Sequence, residues 1–179
     1  DYFYGKEASQ AYVHGNRTTI QNDRPLQGPF HVNKEGSGDM YNKGGVIHNM
    51  LRTIINDDDK WRDILRGLNK QFYHQQVDYN DIVTYFNTNT NIDFSKIFAQ
   101  YVQHTSLPVL EIRFSKDQAF GRWISEVPNF QMPIDLGIQG QKKERFTLTS
   151  TFKPIKLPGL KKENIAIDTY NYYIGVLVQ

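Results

Sequence analysis

The apolar residues of this chain change their spacing near residue 105, and that change sets the fold class. Before it they recur at three- and four-residue intervals, the period that lays one stripe along an α-helix. After it they gather in short runs broken by glycine and proline. A chain with helices in one block and strands in the next folds as α+β, here an antiparallel helical stack followed by a small β-sandwich. Its 179 residues suffice for one large domain or two small ones. The expected division is 1–105 helical and 106–179 β-sandwich.

Residues 6–14 read as a helix stopped by Gly15-Asn16, with no polar cap at its start. Residues 22–39 form a long loop rich in Gly, Pro and Asn, a length usually reserved for a functional segment or a lid. Val46, Ile47, Met50, Leu51, Ile54 and Ile55 then make one helical stripe. The Asp57-Asp58-Asp59 run starts a further helix carrying Trp61, Ile64, Leu65, Leu68 and Phe72, because carboxylates satisfy the free N–H groups there. The run has neither the glycine nor the distal glutamate of a calcium loop. Asp78 or Asn80 caps a helix bearing Ile82, Val83 and Phe86. Asp93 caps another bearing Ile97, Phe98, Tyr101 and Val102.

Strands are expected at 109–114, 122–127, 132–138, 146–152 and 172–178, with a short one at 165–167. Lys142-Lys143 and Lys161-Lys162 are read as solvated hairpin turns.

Charge and composition exclude several functions. Residues 1–104 carry 11 basic and 12 acidic residues and residues 105–179 carry 10 and 7, so neither part is a polycation suited to nucleic acid. With no cysteine there is no disulfide framework, thiol catalysis or cysteine zinc site. No apolar run reaches the roughly 18–20 residues that span a bilayer. The five histidines form no His-Glu-x-x-His or His-x-His arrangement, so they read as surface or packing residues. Trp123, Tyr170, Tyr172 and Tyr173 are the candidates for an aromatic platform, should the β region act as a binding module.

One segment has chemical character, Gly36-Ser37-Gly38-Asp39-Met40-Tyr41-Asn42-Lys43-Gly44-Gly45. Glycines on both sides of Tyr41 allow a close backbone approach just before a helix. A neutral tyrosine hydroxyl can donate to a developing oxyanion. By physics alone, a packed aromatic with a tethered hydroxyl is the preferred account of Tyr41.

The stretch from Glu35 to Gly44, running into Ile47-His48-Asn49-Met50-Leu51-Arg52, resembles the Tyr-x-Lys-Gly helix of the M1-family (gluzincin) zinc aminopeptidases. The resemblance continues through Trp61-Arg62-Asp63-Ile64-Leu65, Phe98-Ala99-Gln100-Tyr101-Val102 and Leu107-Pro108-Val109-Leu110-Glu111-Ile112. There that family passes from a thermolysin-like catalytic domain into a β-sandwich. Tyr2-Phe3-Tyr4-Gly5-Lys6-Glu7-Ala8 is similar to the helix that follows the family's third zinc ligand.

The resemblance implies a C-terminal fragment of a zinc aminopeptidase that removes N-terminal residues from peptides. It gives Tyr41 the catalytic role of stabilising the oxyanion, with Lys43 and Gly44 structural. His-Glu-x-x-His, the downstream glutamate ligand and Gly-x-Met-Glu-Asn are missing. Zinc is therefore expected only in the full-length parent, with no metal ligand or cofactor-binding residue here and no activity in the fragment alone. Some shorter bacterial-type members end after the sandwich. The expected partners are peptide substrates, through the parent, and the missing N-terminal half of the catalytic domain. Self-association through an exposed apolar face is also expected, with no nucleic acid and no membrane span. The alternative is a non-catalytic M1-like scaffold or a β-sandwich module that mediates protein contacts.

Overall fold

The computed structural model describes residues 3–29, 31–115 and 118–179. Helix α1 (Gly5–Gly15) begins without a side-chain cap, contributes no buried residue and runs into a 3-10 turn at Asn16–Thr19. Asp1 and Tyr2, at the head of that segment, lie outside the described residues. After the long irregular stretch, α2 (Asn42–Ile55) buries Val46, Ile47, Met50, Leu51 and Ile54. It stops where Asn56 turns left-handed at φ 54°, a conformation asparagine tolerates.

The acidic run is a helix start. Asp57 accepts hydrogen bonds from the Asp59 and Lys60 amides and opens α3 (Asp58–Gln71). Asp78, rather than Asn80, opens α4 (Tyr79–Thr90) through a reciprocal capping box with Asp81. The helices pack through aromatic rings, with Phe86 edge-on to Phe98 at 5.3 Å and tilted against Trp61 at 6.2 Å.

The last helix departs from expectation. Asp93 accepts from the Ser95 amide at 3.0 Å, but only α5 (Ser95–Phe98) is α-helical and Ala99–Gln103 winds as a π-turn. The side chain of Gln100, wholly enclosed there, donates to the Ser106 carbonyl at 2.8 Å and accepts from the Ser125 hydroxyl at 2.5 Å. These bonds tie the end of the helical block to the start of the strands.

Seven strands form two sheets among the described residues. In the first, β1 (Val109–Ser115) pairs antiparallel with β2 (Gln118–Ile124) and parallel with β7 (Gly175–Val178), and β5 (Lys153–Ile155) lies outside β2. In the second, β3 (Gln131–Ile138) stands between β4 (Glu144–Thr149) and β6 (Ile165–Ile167). The expected strand at 146–152 starts earlier and stops at Thr149, because the chain crosses the sandwich at Ser150-Thr151 and resumes in the other sheet as β5 from Lys153. The expected strand at 122–127 starts earlier and stops at Ile124, where the Ser125 hydroxyl accepts the Val127 amide. Residues 172–174 stay irregular: the Tyr172 amide donates back to the Asp168 carbonyl at 3.3 Å, and β7 begins only at Gly175. Lys142-Lys143 lie in the β3–β4 hairpin as expected, whereas Lys161-Lys162 lie in the crossover from β5 to β6.

Gly121 explains why β2 is hard to read. A Cβ there would sit 2.7 Å from Leu148 Cδ1 of the facing sheet and 3.0 Å from Ile155 Cδ1 of the neighbouring strand, so any side chain at this point would press those two aside. The inner faces meet through Leu110, Ile112, Trp123, Met132, Ile134 and Leu136, and the Trp123 indole N–H donates to the Met132 carbonyl at 2.9 Å. These residues are continuous with Met50, Phe86 and Tyr101 in one apolar core shared by helices and strands. The opposite face of the second sheet turns to the helices, where Arg145 donates to the Ile54 carbonyl at 2.6 Å.

Candidate active site

The segment singled out in the sequence folds as a tight turn that places Tyr41 immediately before α2. Gly36 is indispensable there, since a Cβ would lie 1.9 Å from the Leu26 carbonyl oxygen. The Ser37 hydroxyl donates to Asp23 at 2.5 Å and accepts the Asp39 amide at 3.1 Å. The Ser37 hydrogen bond holds the Asp23 carboxyl below the usual carboxylate range. The Asp39 carboxylate, buried, accepts the Gln21 amide at 3.0 Å and the Asn22 amide at 2.6 Å. The turn is thereby fastened to the strand of chain that follows α1.

Tyr41 itself is 81% exposed. It is not a packed aromatic in this chain, and its ring stands free of the core beside a framework that is rigidly bonded. Two residues on, Lys43 is only 1% exposed and its ammonium donates to the His104 carbonyl at 3.3 Å. Burial pulls this amine below its usual pKa, partly offset by the Asp39 carboxylate. Lys43 therefore pins the start of α2 against the end of the π-turn. Around Tyr41 the glycine expectation divides: Gly36 makes a close approach, whereas Gly38, Gly44 and Gly45 face open space.

The other candidates fall out of the site. His14 is exposed and stacks on Tyr170 at 4.7 Å. His104 places Nδ1 2.8 Å from a Glu126 oxygen, and the Ser106 hydroxyl donates to the same carboxylate. Trp123 and Tyr172 are fully buried, so the four aromatics form no exposed platform. Among the described residues, no group of three or more His, Cys, Asp or Glu is placed to hold a metal ion. No helix among them is long and apolar enough to cross a membrane.

The role of Arg17 has no counterpart in the sequence pattern. It donates to the carbonyls of Thr169 at 2.6 Å and Tyr170 at 2.9 Å and lies over the Tyr173 ring, joining the turn after α1 to the end of the sandwich. A contact spanning some 150 residues leaves no local signal.

With the turn, helices and sheets in place, a solved structure can be matched to the chain. Its fold matches part of an aminopeptidase. The match is to the crystal structure of Legionella pneumophila aminopeptidase A in complex with aspartic acid, with a TM-score of 0.62 and 11% identity. It covers 91% of this chain and 21% of that one, so the chain spans about a fifth of the matched structure's length. No family model matches the sequence, and no curated protein does either.

Proposed function

We propose that this chain is a portion of an M1-like zinc aminopeptidase, an enzyme that removes N-terminal residues from peptides. In this reading residues 1–105 are the distal part of the catalytic domain and residues 106–179 the β-sandwich that follows it. The observation that carries it is the aminopeptidase-like fold over nine-tenths of the chain, helices and both sheets together.

Tyr41 is the residue of this chain assigned to the chemistry. Its hydroxyl donates to the oxyanion that develops when the scissile carbonyl is attacked, and donors aimed at developing charge act mainly in the transition state. The exposed ring, the bonded framework beneath it and the open space at Gly38, Gly44 and Gly45 support a cleft wall that faces another segment. The described residues do not fit a zinc site, so metal and general base belong to the rest of the enzyme in this proposal. The exposed stripe Tyr4, Ala8, Ala11 and Tyr12, running from the residue before α1 along that helix, is the seat for that missing half.

The test uses the complete protein that contains this chain. It should hydrolyse aminoacyl chromogenic substrates, and Tyr41→Phe should lower kcat by about 10²–10³ with KM and zinc content little changed. Because the ring is exposed, the melting temperature should hold. A folded, zinc-loaded Tyr41→Phe enzyme with normal kcat would remove Tyr41 from the mechanism, and a complete protein without peptidase activity would leave the scaffold reading.

A further inference from the structure

On the outer face of the four-stranded sheet, Glu111 of β1 is 1% exposed at a position where strand alternation directs side chains to solvent. A pair of arginines covers it. Arg113 places Nε 2.8 Å and Nη2 2.7 Å from one carboxylate oxygen. Arg122, opposite Glu111 in the β1–β2 register, donates from Nε to the other oxygen at 2.6 Å. Both guanidiniums also lie over the ring of Phe152, at 4.7 and 4.6 Å from its centroid. The shared carboxylate and the shared ring hold two long side chains in place that would otherwise be free.

The cluster is not balanced. Among the described residues two cations share one anion, and the side chains of Arg113 and Arg122 remain 49% and 35% exposed. The Nη groups of Arg122 and Nη1 of Arg113 donate to nothing among the described residues. Phe120 and Ile124, on the same face of β2, border these free donors with apolar surface.

We propose that the Arg113–Arg122 pair is a docking site for an acidic polypeptide segment. A carboxylate of the partner takes the free Nη donors, since the planar guanidinium fork matches a carboxylate, and it cancels the surplus charge. Apolar side chains beside that carboxylate lie on Phe152, Phe120 and Ile124, which distinguishes a peptide from a bare anion. This assignment does not depend on the role of Tyr41.

The test titrates this chain with the capped pentapeptide Glu-Glu-Phe-Glu-Glu, against Lys-Lys-Phe-Lys-Lys and sodium phosphate at equal ionic strength. The readout is the NMR signals of the arginine Nε–H groups and the Phe152 ring. The acidic peptide should shift Arg113, Arg122 and Phe152 saturably. Arg122→Gln should weaken binding about tenfold or more, and the double variant Lys142→Gln, Lys143→Gln should leave it unchanged. Wild-type shifts report whether or not Arg122→Gln folds. Shifts confined to other residues, equal binding of the lysine peptide, full reproduction of the shifts by phosphate, or unweakened binding to folded Arg122→Gln would each overturn the proposal.

Discussion

Arg145 grips Asp135 with two hydrogen bonds, from Nε and Nη2, each 2.8 Å long. The two residues face each other across β4 and β3, and the same guanidinium donates to the carbonyls of Thr53 and Ile54 at the end of α2. A helix C-terminus leaves carbonyls without partners and carries partial negative charge. Here an arginine from the sandwich supplies both the donors and the cation, so one side chain welds helices to sheet.

Arg145→Gln should therefore destabilise the chain by about 2 kcal/mol, because hydrogen bonds to charged groups are worth roughly 1.5–3 kcal/mol and Asp135 loses its partner. For a domain of this size that lowers the melting temperature by about 4–8 °C. Asp135→Asn should cost less, since the amide still accepts one bond. Thermal unfolding of the three proteins checks this, and equal stability would show that water replaces the arginine at no cost.

Gly121→Ala should destabilise by about 1–3 kcal/mol, the usual effect of overpacking a filled core. The added methyl meets Leu148 first, so Leu148→Val should cost less in the Gly121→Ala background than in wild type. A double-mutant cycle in denaturant measures that coupling. Additive effects would mean that the sheets move apart instead.

Tyr172 sets an alkaline limit. Burial first, and then the Asp135 carboxylate that its hydroxyl meets at 3.2 Å, push its ionisation well above the ordinary tyrosine range. A folded pKa above the unfolded one means stability is complete below about pH 10 and falls as pH rises, by up to about 1.4 kcal/mol per pH unit. Lys43, whose pKa is depressed, works in the opposite sense at lower pH, its contribution rising with pH until about 10.5. Comparing Tyr172→Phe with wild type isolates the tyrosine: the stability difference between them should move in favour of the variant from pH 9 to 11.5. A constant difference would contradict the assignment.

The exposed stripe of α1 should make the isolated chain self-associate at high micromolar concentration. Tyr4 and Tyr12 are 87% and 73% exposed, so replacing both with serine should abolish association and leave the melting temperature unchanged. Sedimentation velocity reads the outcome, and a wild-type chain that stays monomeric would show that this face needs no cover.

The α+β class, the helix stripes of α2, α3 and α4, the aspartate caps and the strand cores at 109–114 and 132–138 were all legible in the sequence. Each rests on interactions within a few residues: a 3.6-residue stripe, a carboxylate reaching the next amides, an apolar run bounded by turns. The Tyr41 turn was legible as a motif for the same reason, with its glycines and tyrosine adjacent in the chain.

Tertiary structure decided the rest. Nothing local in 146–152 says that the chain changes sheets there, and nothing around Gly121 announces that Leu148 and Ile155 will close over it. The parallel pairing of β7 with β1 joins the last strand to the first, and Arg17 and Arg145 reach partners roughly 90 to 150 residues away. Tyr41 shows the division most clearly. Its place before a helix is written in the sequence, but its exposure follows from Lys43 being drawn inward to the His104 carbonyl and Asp39 to the amides after α1. Hydrogen-bond partners distant in sequence pay no local signal forward, so only the folded chain reveals which of two neighbouring polar side chains is buried and which faces solvent.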